Sequence, residues 1–330
     1  MPETFLLYGE TDSGKSAQAR RFVDWHHRES GGEITRAIIA DSTVAPYQKR
    51  IISPENPDGI IEAVVIRGLK DPHSALEFMA KGYWPELKTD SKGTRFVFKQ
   101  PTYVDGKMLA SDGKRKVGQY IIEGLATISE VLLQDHADHA KERPAFGSGE
   151  GGVTTFKSVV EVEGPGGRIS TEESTVGRAV AGHFGWVQNF VLSVLVPRFS
   201  DLKAISRILW TSHTSRGKDQ MTGIKGGALG PATIGPGAVD RTAKKFGHTF
   251  HLESETKFGS TKEALREFRA WFLSHPDSEM TSLQWPSKVS LELEEAGKLL
   301  KRFPKGYIPL TLDKGMEQYL EFLAEAGKPV

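Results

Sequence analysis

The chain has 330 residues, enough for one large α/β domain or for a core with a small appendage. It contains no cysteine, which excludes a disulfide framework and a cysteine-based zinc site and fits a reducing cytoplasm. The formal net charge of +1 gives no global electrostatic pull toward nucleic acid, so any such binding must come from a local patch.

No basic region precedes the first apolar run, Thr4-Phe5-Leu6-Leu7-Tyr8, so the N-terminus does not read as a signal peptide. That run reads as a strand. Directly after it stands Gly9-Glu10-Thr11-Asp12-Ser13-Gly14-Lys15-Ser16, a G-x-x-x-x-G-K-S pattern, and from Ala17 the chain continues as a helix over about 13–28. Strand, glycine loop, lysine, hydroxyl and helix is the order that a phosphate-binding P-loop requires. The glycines let backbone amides turn inward around a β-phosphate, and the helix N-terminus adds its partial positive charge. Lys15 reaches toward β- and γ-oxygens, and the Ser16 hydroxyl is placed to ligate Mg²⁺. Residues Gly9 to Ala17 are thus the expected nucleoside triphosphate cradle.

Further strands are expected over 34–40, 60–66, 119–123 and 207–212, with helices over 72–82, 127–141 and 176–197. Short apolar runs separated by helices argue for an α/β fold with a mostly parallel sheet and right-handed crossovers. The apolar stretch 184–196 carries Gln188, Asn189 and Ser193 and is closed by Pro197, too short and too polar to span a bilayer, so it reads as a buried helix. Residues 88–116 read as an inserted β-hairpin, 143–175 as a mobile loop with a short strand near 157–163, and 215–239 as a long glycine-rich loop. The core then spans 1–275, and 276–330 forms a C-terminal extension with a strand near 289–293 and a final helix over 314–326. Trp186, Phe190, Phe268, Trp271 and Phe272 fall at helical spacing and read as core.

A P-loop needs a carboxylate on a neighbouring strand to hold the metal. Glu123, ending the strand 119–123, is the first candidate, and a solvent-facing strand end is the plainer reading. Most P-loops use Asp here, and Glu leaves open whether residue 123 holds Mg²⁺, activates water, or does both. Asp41, at the tip of the second strand, is the next metal candidate, with an exposed turn residue equally plausible. His213, at the end of the strand 207–212, is placed to touch a γ-phosphate and report its loss, although a lone histidine is more often structural. Arg216, Lys218 and Lys225 lie in the glycine-rich loop, and Arg241, Lys244 and Lys245 follow it. Such a group would neutralise nucleic-acid phosphates, supply an arginine finger to a neighbouring subunit, or simply be solvated. His136 and His139, beside Asp135 and Asp138, fit a solvated helix end better than a metal site.

The order of parts resembles the RecA-like, AAA-type P-loop ATPases encoded by bacteriophages. The residues that carry the resemblance are the P-loop itself, the run from Tyr120-Ile121-Ile122-Glu123 to Ser129, and Leu209-Trp210-Thr211-Ser212-His213-Thr214. Gly230-Pro231-Ala232-Thr233, Phe246-Gly247-His248-Thr249-Phe250, Pro286-Ser287-Lys288-Val289 and Gly306-Tyr307-Ile308-Pro309-Leu310 add to it, while 88–116 and 143–175 lie outside the pattern. The resemblance implies a RecA-like core, ATP and Mg²⁺ as cofactors, and ATP hydrolysis coupled to single-stranded DNA in recombination or replication. It also implies a single-strand-binding protein nearby, the cytoplasm of a bacterial host, and no membrane. A homo-oligomeric ring or filament follows, with Lys244, Lys245 or Lys288 acting across subunits and the loop 215–239 on DNA. The alternative is a nucleotide-switched assembly or scaffold protein with little turnover.

Overall fold

A strand buried on both faces must be apolar on both, and the inner strands divide their side chains between two cores with a period of two. Phe5 and Leu7 face one core and Leu6 the other; Ile121 opposes Tyr120 and Ile122, and Leu209 opposes Ile208 and Trp210. The computed structural model describes residues 1–40, 44–69, 71–90, 93–138, 154–164, 168–178, 181–218, 225–233, 239–258, 264–273, 287–311 and 313–327. In chain order the first half comprises β1 (Glu3–Gly9), α1 (Lys15–Glu29), β2 (Ile34–Ile39), β3 (Ile61–Val65), α2 (Pro72–Met79), β4 (Trp84–Asp90), β5 (Gly93–Lys99), β6 (Tyr103–Val104), β7 (Lys107–Leu109), β8 (Lys116–Glu123) and α3 (Leu125–Asp138). The second half comprises β9 (Thr154–Gly164), β10 (Arg168–Arg178), α4 (Ala181–Asn189), α5 (Val196–Ser200), β11 (Arg207–Lys218), β12 (Lys225–Pro231), α6 (Val239–Ala243), β13 (His248–Phe258), β14 (Ala264–Trp271), β15 (Lys288–Val289), α7 (Leu293–Arg302), β16 (Tyr307–Leu310) and α8 (Glu317–Glu325).

The main sheet runs β16-β14-β13-β1-β11-β8-β2-β3. From β13 to β3 every neighbouring pair is parallel, and β14 and β16 add an antiparallel edge. The fold is therefore mixed α/β with a mostly parallel central sheet between helices. One face packs against α2, α3 and the α4–α5 segment, and the other against α1, α7 and α8. Asp71 caps α2 by accepting from the Ser74 backbone N–H at 3.0 Å, with Pro72 at the first helical position.

Several expectations are corrected. Residues 143–175 were expected as a loop with a short strand, but β9 and β10 form an antiparallel ribbon of 11 residues on each side. The glycine-rich stretch after 215 is not a loop throughout: β11 continues to Lys218 and pairs with β12, with a bulge between Arg216 and Lys218. Glycine weakens a strand without forbidding it, and a bulge absorbs the irregularity. Pro197 does not close the helix before it. A π-helical stretch, Phe190–Leu195, runs into α5, where Pro197 occupies the first turn and needs no N–H. Phe268 and Trp271 belong to a strand, β14, and Leu293 opens α7 instead of ending a strand. The expected insertion at 88–116 holds two hairpins, β4–β5 and β6–β7.

The far end of α1 is fixed by a buried histidine. His26 lies under Gly118 of β8, where a Cβ would overlap both His26 Nε2 and the Glu33 carboxylate. Burial, then the nearby Arg207, Lys107 and His27 charges, lower its pKa from the ordinary 6.5 to about 3. The folded chain thus keeps His26 neutral where the unfolded chain would protonate it. Between those two values the unfolded state holds the extra proton, so this contribution to stability is complete above 6.5 and is lost as pH falls toward 3. We expect a slope of up to about 1.4 kcal/mol per pH unit from this one group. Replacing His26→Gln should flatten the dependence of the urea midpoint between neutral and acid pH. Parallel profiles for the two proteins would contradict it.

Candidate functional site

The phosphate-loop sequence folds as a tight turn because its first glycine has no room for a side chain. β1 ends at Gly9, in register with His213 of β11 on one side and Leu252 of β13 on the other. A Cβ on Gly9 would collide with the Leu252 carbonyl oxygen and the Ser13 hydroxyl. The Ser13 N–H donates to the Glu10 carbonyl at 3.2 Å, Asp12 adopts φ 63°, and Gly14 at φ 87° begins α1. Left-handed backbone at Gly14 is what glycine supplies without strain. Lys15, nearly buried, folds back so that Nζ donates to the carbonyls of Gly9 at 2.9 Å and Glu10 at 2.7 Å. The buried Ser13 hydroxyl has no hydrogen-bond partner among the described residues. A concave turn with a bent-back ammonium, a helix N-terminus and an orphaned hydroxyl fits a phosphate chain.

Ser16, in the first turn of α1, donates its hydroxyl to Glu123 Oε1 at the end of β8. Glu123 is buried, and the chain around it is fixed from both sides. The Ala40 N–H donates to its carbonyl at 3.0 Å, and the Gly124 N–H donates to Thr211 Oγ1 of β11 at 3.0 Å. A hydroxyl and a carboxylate meeting in one place are hard oxygen donors of the kind Mg²⁺ takes, so the pair fits that ion. Among the described residues no cluster of three or more His, Asp or Glu residues has a metal-holding arrangement, so two protein ligands would leave the other positions to phosphate and water. Asp41, the third expected ligand, lies outside the described residues, as does His139. His136 stacks on Trp186 with ring centroids 4.1 Å apart, so it is an aromatic-core residue and not a solvated helix end.

His213 lies beside the loop in the sheet, but its neighbour makes the side-chain contact. Thr214 Oγ1 donates to the Glu10 carboxylate. The His213 carbonyl accepts from the Ala232 N–H at 2.6 Å, and Ser212 Oγ donates to the Ala232 carbonyl at 2.6 Å, fastening β11 to the segment after β12. His213 also lines a cavity of about 600 Å³ with Thr127, Glu130 and Phe184. Of the expected DNA group, Arg216 and Lys218 sit on β11 and Lys225 on β12, with Lys218 opposite Lys225 across the hairpin. Arg241 is in α6, and Lys244 and Lys245 follow it on the surface. Lys288 Nζ donates to the Lys244 carbonyl at 3.3 Å, which brings β15 to the same corner.

The sequence reading missed one side of the site. Arg266 and Phe268 of β14 reach the phosphate loop: Arg266 Nη2 donates to the Asp12 carbonyl at 3.1 Å and to Ser254 Oγ at 3.0 Å. Their strand period of two was the available signal, obscured by a chance helical spacing of the aromatics.

Among solved structures, the chain is similar to the flagellar accessory protein FlaH from Methanocaldococcus jannaschii, at 10% identity over 94% of this chain and 89% of that chain, with a TM-score of 0.36. No family model matches the chain, and no curated protein matches it. Among the described residues no helix is long and apolar enough to cross a membrane.

Gly9→Ala should destabilise the protein by roughly 1–3 kcal/mol, the usual range for forcing atoms into a packed site. Ser13→Ala, which removes only the orphaned hydroxyl oxygen, should leave the thermal midpoint nearly unchanged. Equal midpoints for Gly9→Ala and the parent would mean that the loop relaxes around residue 9 freely.

Proposed function

We propose that the chain is a RecA-like P-loop ATPase, encoded by a bacteriophage, that acts on single-stranded DNA during recombination or replication. The observation that carries this reading is the set of contacts around the turn at Gly9–Ser16: Lys15 bent over its own loop and Ser16 joined to Glu123 across the sheet. Lys15 Nζ would exchange its carbonyl partners for phosphate oxygens and stabilise charge developing on the transferred phosphoryl group. Ser16 and Glu123 would hold Mg²⁺, which when bound neutralises the β- and γ-oxygens. Glu123 would also orient the attacking water in this reading.

The Glu10–Thr214 contact supports a route from nucleotide to DNA. It joins a residue of the phosphate loop to β11, the strand that carries Arg216 and Lys218, so a shift of the loop would be felt by the hairpin. The same reading takes His213 as the γ-phosphate sensor, with Thr214 as its link to the loop. Arg216, Lys218 and Lys225, with Arg241, Lys244 and Lys245, would neutralise the DNA backbone. The protein would work as a ring or filament in the host cytoplasm, beside a single-strand-binding protein, with Lys244, Lys245 or Lys288 reaching a neighbouring subunit's nucleotide. A second reading is a nucleotide-switched assembly protein with little turnover. The favouring observation is that Glu123 is engaged with Ser16, so that one carboxylate would serve both metal and water.

Lys15→Ala should abolish ATP binding, measured by calorimetry, while leaving the circular dichroism spectrum intact; normal hydrolysis by that variant would remove the central claim. Joint replacement of Arg216, Lys218 and Lys225 by Ala should weaken single-stranded DNA binding and lower the slope of log affinity against log salt by about 2. An unchanged slope would move the DNA site elsewhere. ATP-dependent assembly without turnover, with or without DNA, would favour the second reading.

A further inference from the structure

A cavity of about 420 Å³ opens beside the phosphate loop, on the side away from Glu123, lined among others by Gly14, Ala17, Arg266, Phe268, Leu310 and Thr311. Its volume falls in the range of small-molecule sites. We propose that it takes the base and ribose of the bound nucleoside triphosphate, with the Phe268 ring as the stacking face; this rests on the nucleotide reading above.

The place of the cavity argues for that occupant. It begins at Gly14, the last glycine of the loop, and at Ala17 in the first turn of α1. A ligand whose phosphates lie in the loop has its other end within reach of this space and of no more distant one. The wall matches a nucleoside. Phe268 is half-buried, and its ring edge comes 3.7 Å from where a Cβ on Gly14 would stand, so the aromatic surface directly adjoins the phosphate loop. The Arg266 guanidinium lies 5.3 Å from the same ring and is tied to the Asp12 carbonyl, a cation at the border between phosphates and base. Leu310 adds apolar surface, and Thr311 a hydroxyl and carbonyl at the rim. A planar aromatic group stacks on such a ring whatever its hydrogen-bonding edge, so the site would take a base by its face.

The wall is also held in position. Arg21 of α1 donates to the Thr311 carbonyl at 3.3 Å and pairs with Glu317 at 2.5 Å, and Gln18 Oε1 accepts from the Met316 N–H at 2.9 Å. A side chain on Gly315 would overlap Gln18 and Arg21. The segment after β16 is thus clamped to the helix that begins at the phosphate loop. In this proposal β14 and the C-terminal strand complete the nucleotide site from the side opposite the metal pair.

The test compares Mg²⁺-ATP with Mg²⁺-tripolyphosphate, which has the phosphates and no base, by calorimetry on the 330-residue chain. Phe268→Leu keeps apolar bulk and removes the ring, and should weaken ATP about tenfold with tripolyphosphate affinity unchanged. Phe268→Tyr should bind ATP as the parent does, and unchanged tripolyphosphate binding certifies that each variant is folded. If Phe268→Leu binds ATP as tightly as the parent while Lys15→Ala does not bind it, the base lies elsewhere and the phosphate-loop reading stands. An equal loss of ATP and tripolyphosphate in Phe268→Leu overturns the stacking role in favour of a packing one. If the parent chain binds neither compound, the nucleotide reading itself fails, and this proposal with it.

Discussion

The end of β1 is the constraint on which the site depends. β1 lies between β11 and β13, so at Gly9 the chain is hemmed by backbone on both flanks, and the Leu252 carbonyl fills the space a side chain would need. The chain turns there because it cannot continue with a side chain and because Ser13 folds back onto it. Lys15 then closes the turn from within by donating to two of the loop's own carbonyls. The helix behind inherits its position from that turn. Its first residues are fixed to β8 through Ser16 and Glu123, its middle to the C-terminal segment through Gln18 and Arg21, and its end beneath Gly118 through His26. α1 is the common support of the Ser16–Glu123 pair, the proposed base cavity and the second core.

The parallel part of the sheet was legible in the sequence because strands buried on both faces leave continuous apolar runs. The runs ending at Tyr8, Ala40, Ile66, Glu123 and Ser212 all correspond to sheet strands within a few residues. The turn at Gly9–Ser16 between β1 and α1 was legible because its glycines, lysine and hydroxyl stand in a fixed local order. What stayed hidden has a different physics. β10 and β12, and the ends of β9 beyond the strand read near 157–163, are polar or glycine-rich, and such strands are specified by pairing with a partner and not by an apolar period. β14 carries Phe268 and Trp271 three apart, a spacing that imitates a helix, although its pairing with β13 and β16 decides otherwise. The pairing of Ser16 with Glu123 was expected from chemistry alone. The contacts of Arg266 and Thr214 with the loop were not, since they join residues separated by more than 200 positions.

Two edges of the loop meet different parts of the chain, and this gives the proposed activity a direction. On one edge Glu10 is bonded to Thr214 of β11, and on the other Asp12 is bonded to Arg266 of β14. Both β11 and β14 belong to hairpins, with β12 and β13 respectively. The loop therefore sits between two antiparallel arms that each make a side-chain contact to it. A ligand that reshapes the loop changes the partners of both. In the proposed function the β11–β12 arm carries the cations that meet DNA, and the β13–β14 arm carries the wall that meets the base.

The strength of such coupling is bounded by the contacts that transmit it. A ligand shifts an equilibrium only by its difference in affinity for the two arrangements. The Glu10–Thr214 bond is exposed at one end, so water competes for both groups, and a single such bond contributes on the order of 1 kcal/mol. That corresponds to a shift of several-fold, not a complete switch. The buried Gly124–Thr211 bond, by contrast, ties the backbone beside Glu123 to β11 away from water, where an unsatisfied group costs more than a bond gains. Geometry at Glu123 is thus held by a buried contact and geometry at Glu10 by an exposed one. In the proposed function, a loop responding to the γ-phosphate would yield first at Glu10, on the side of β11, and leave the Ser16–Glu123 pair in place.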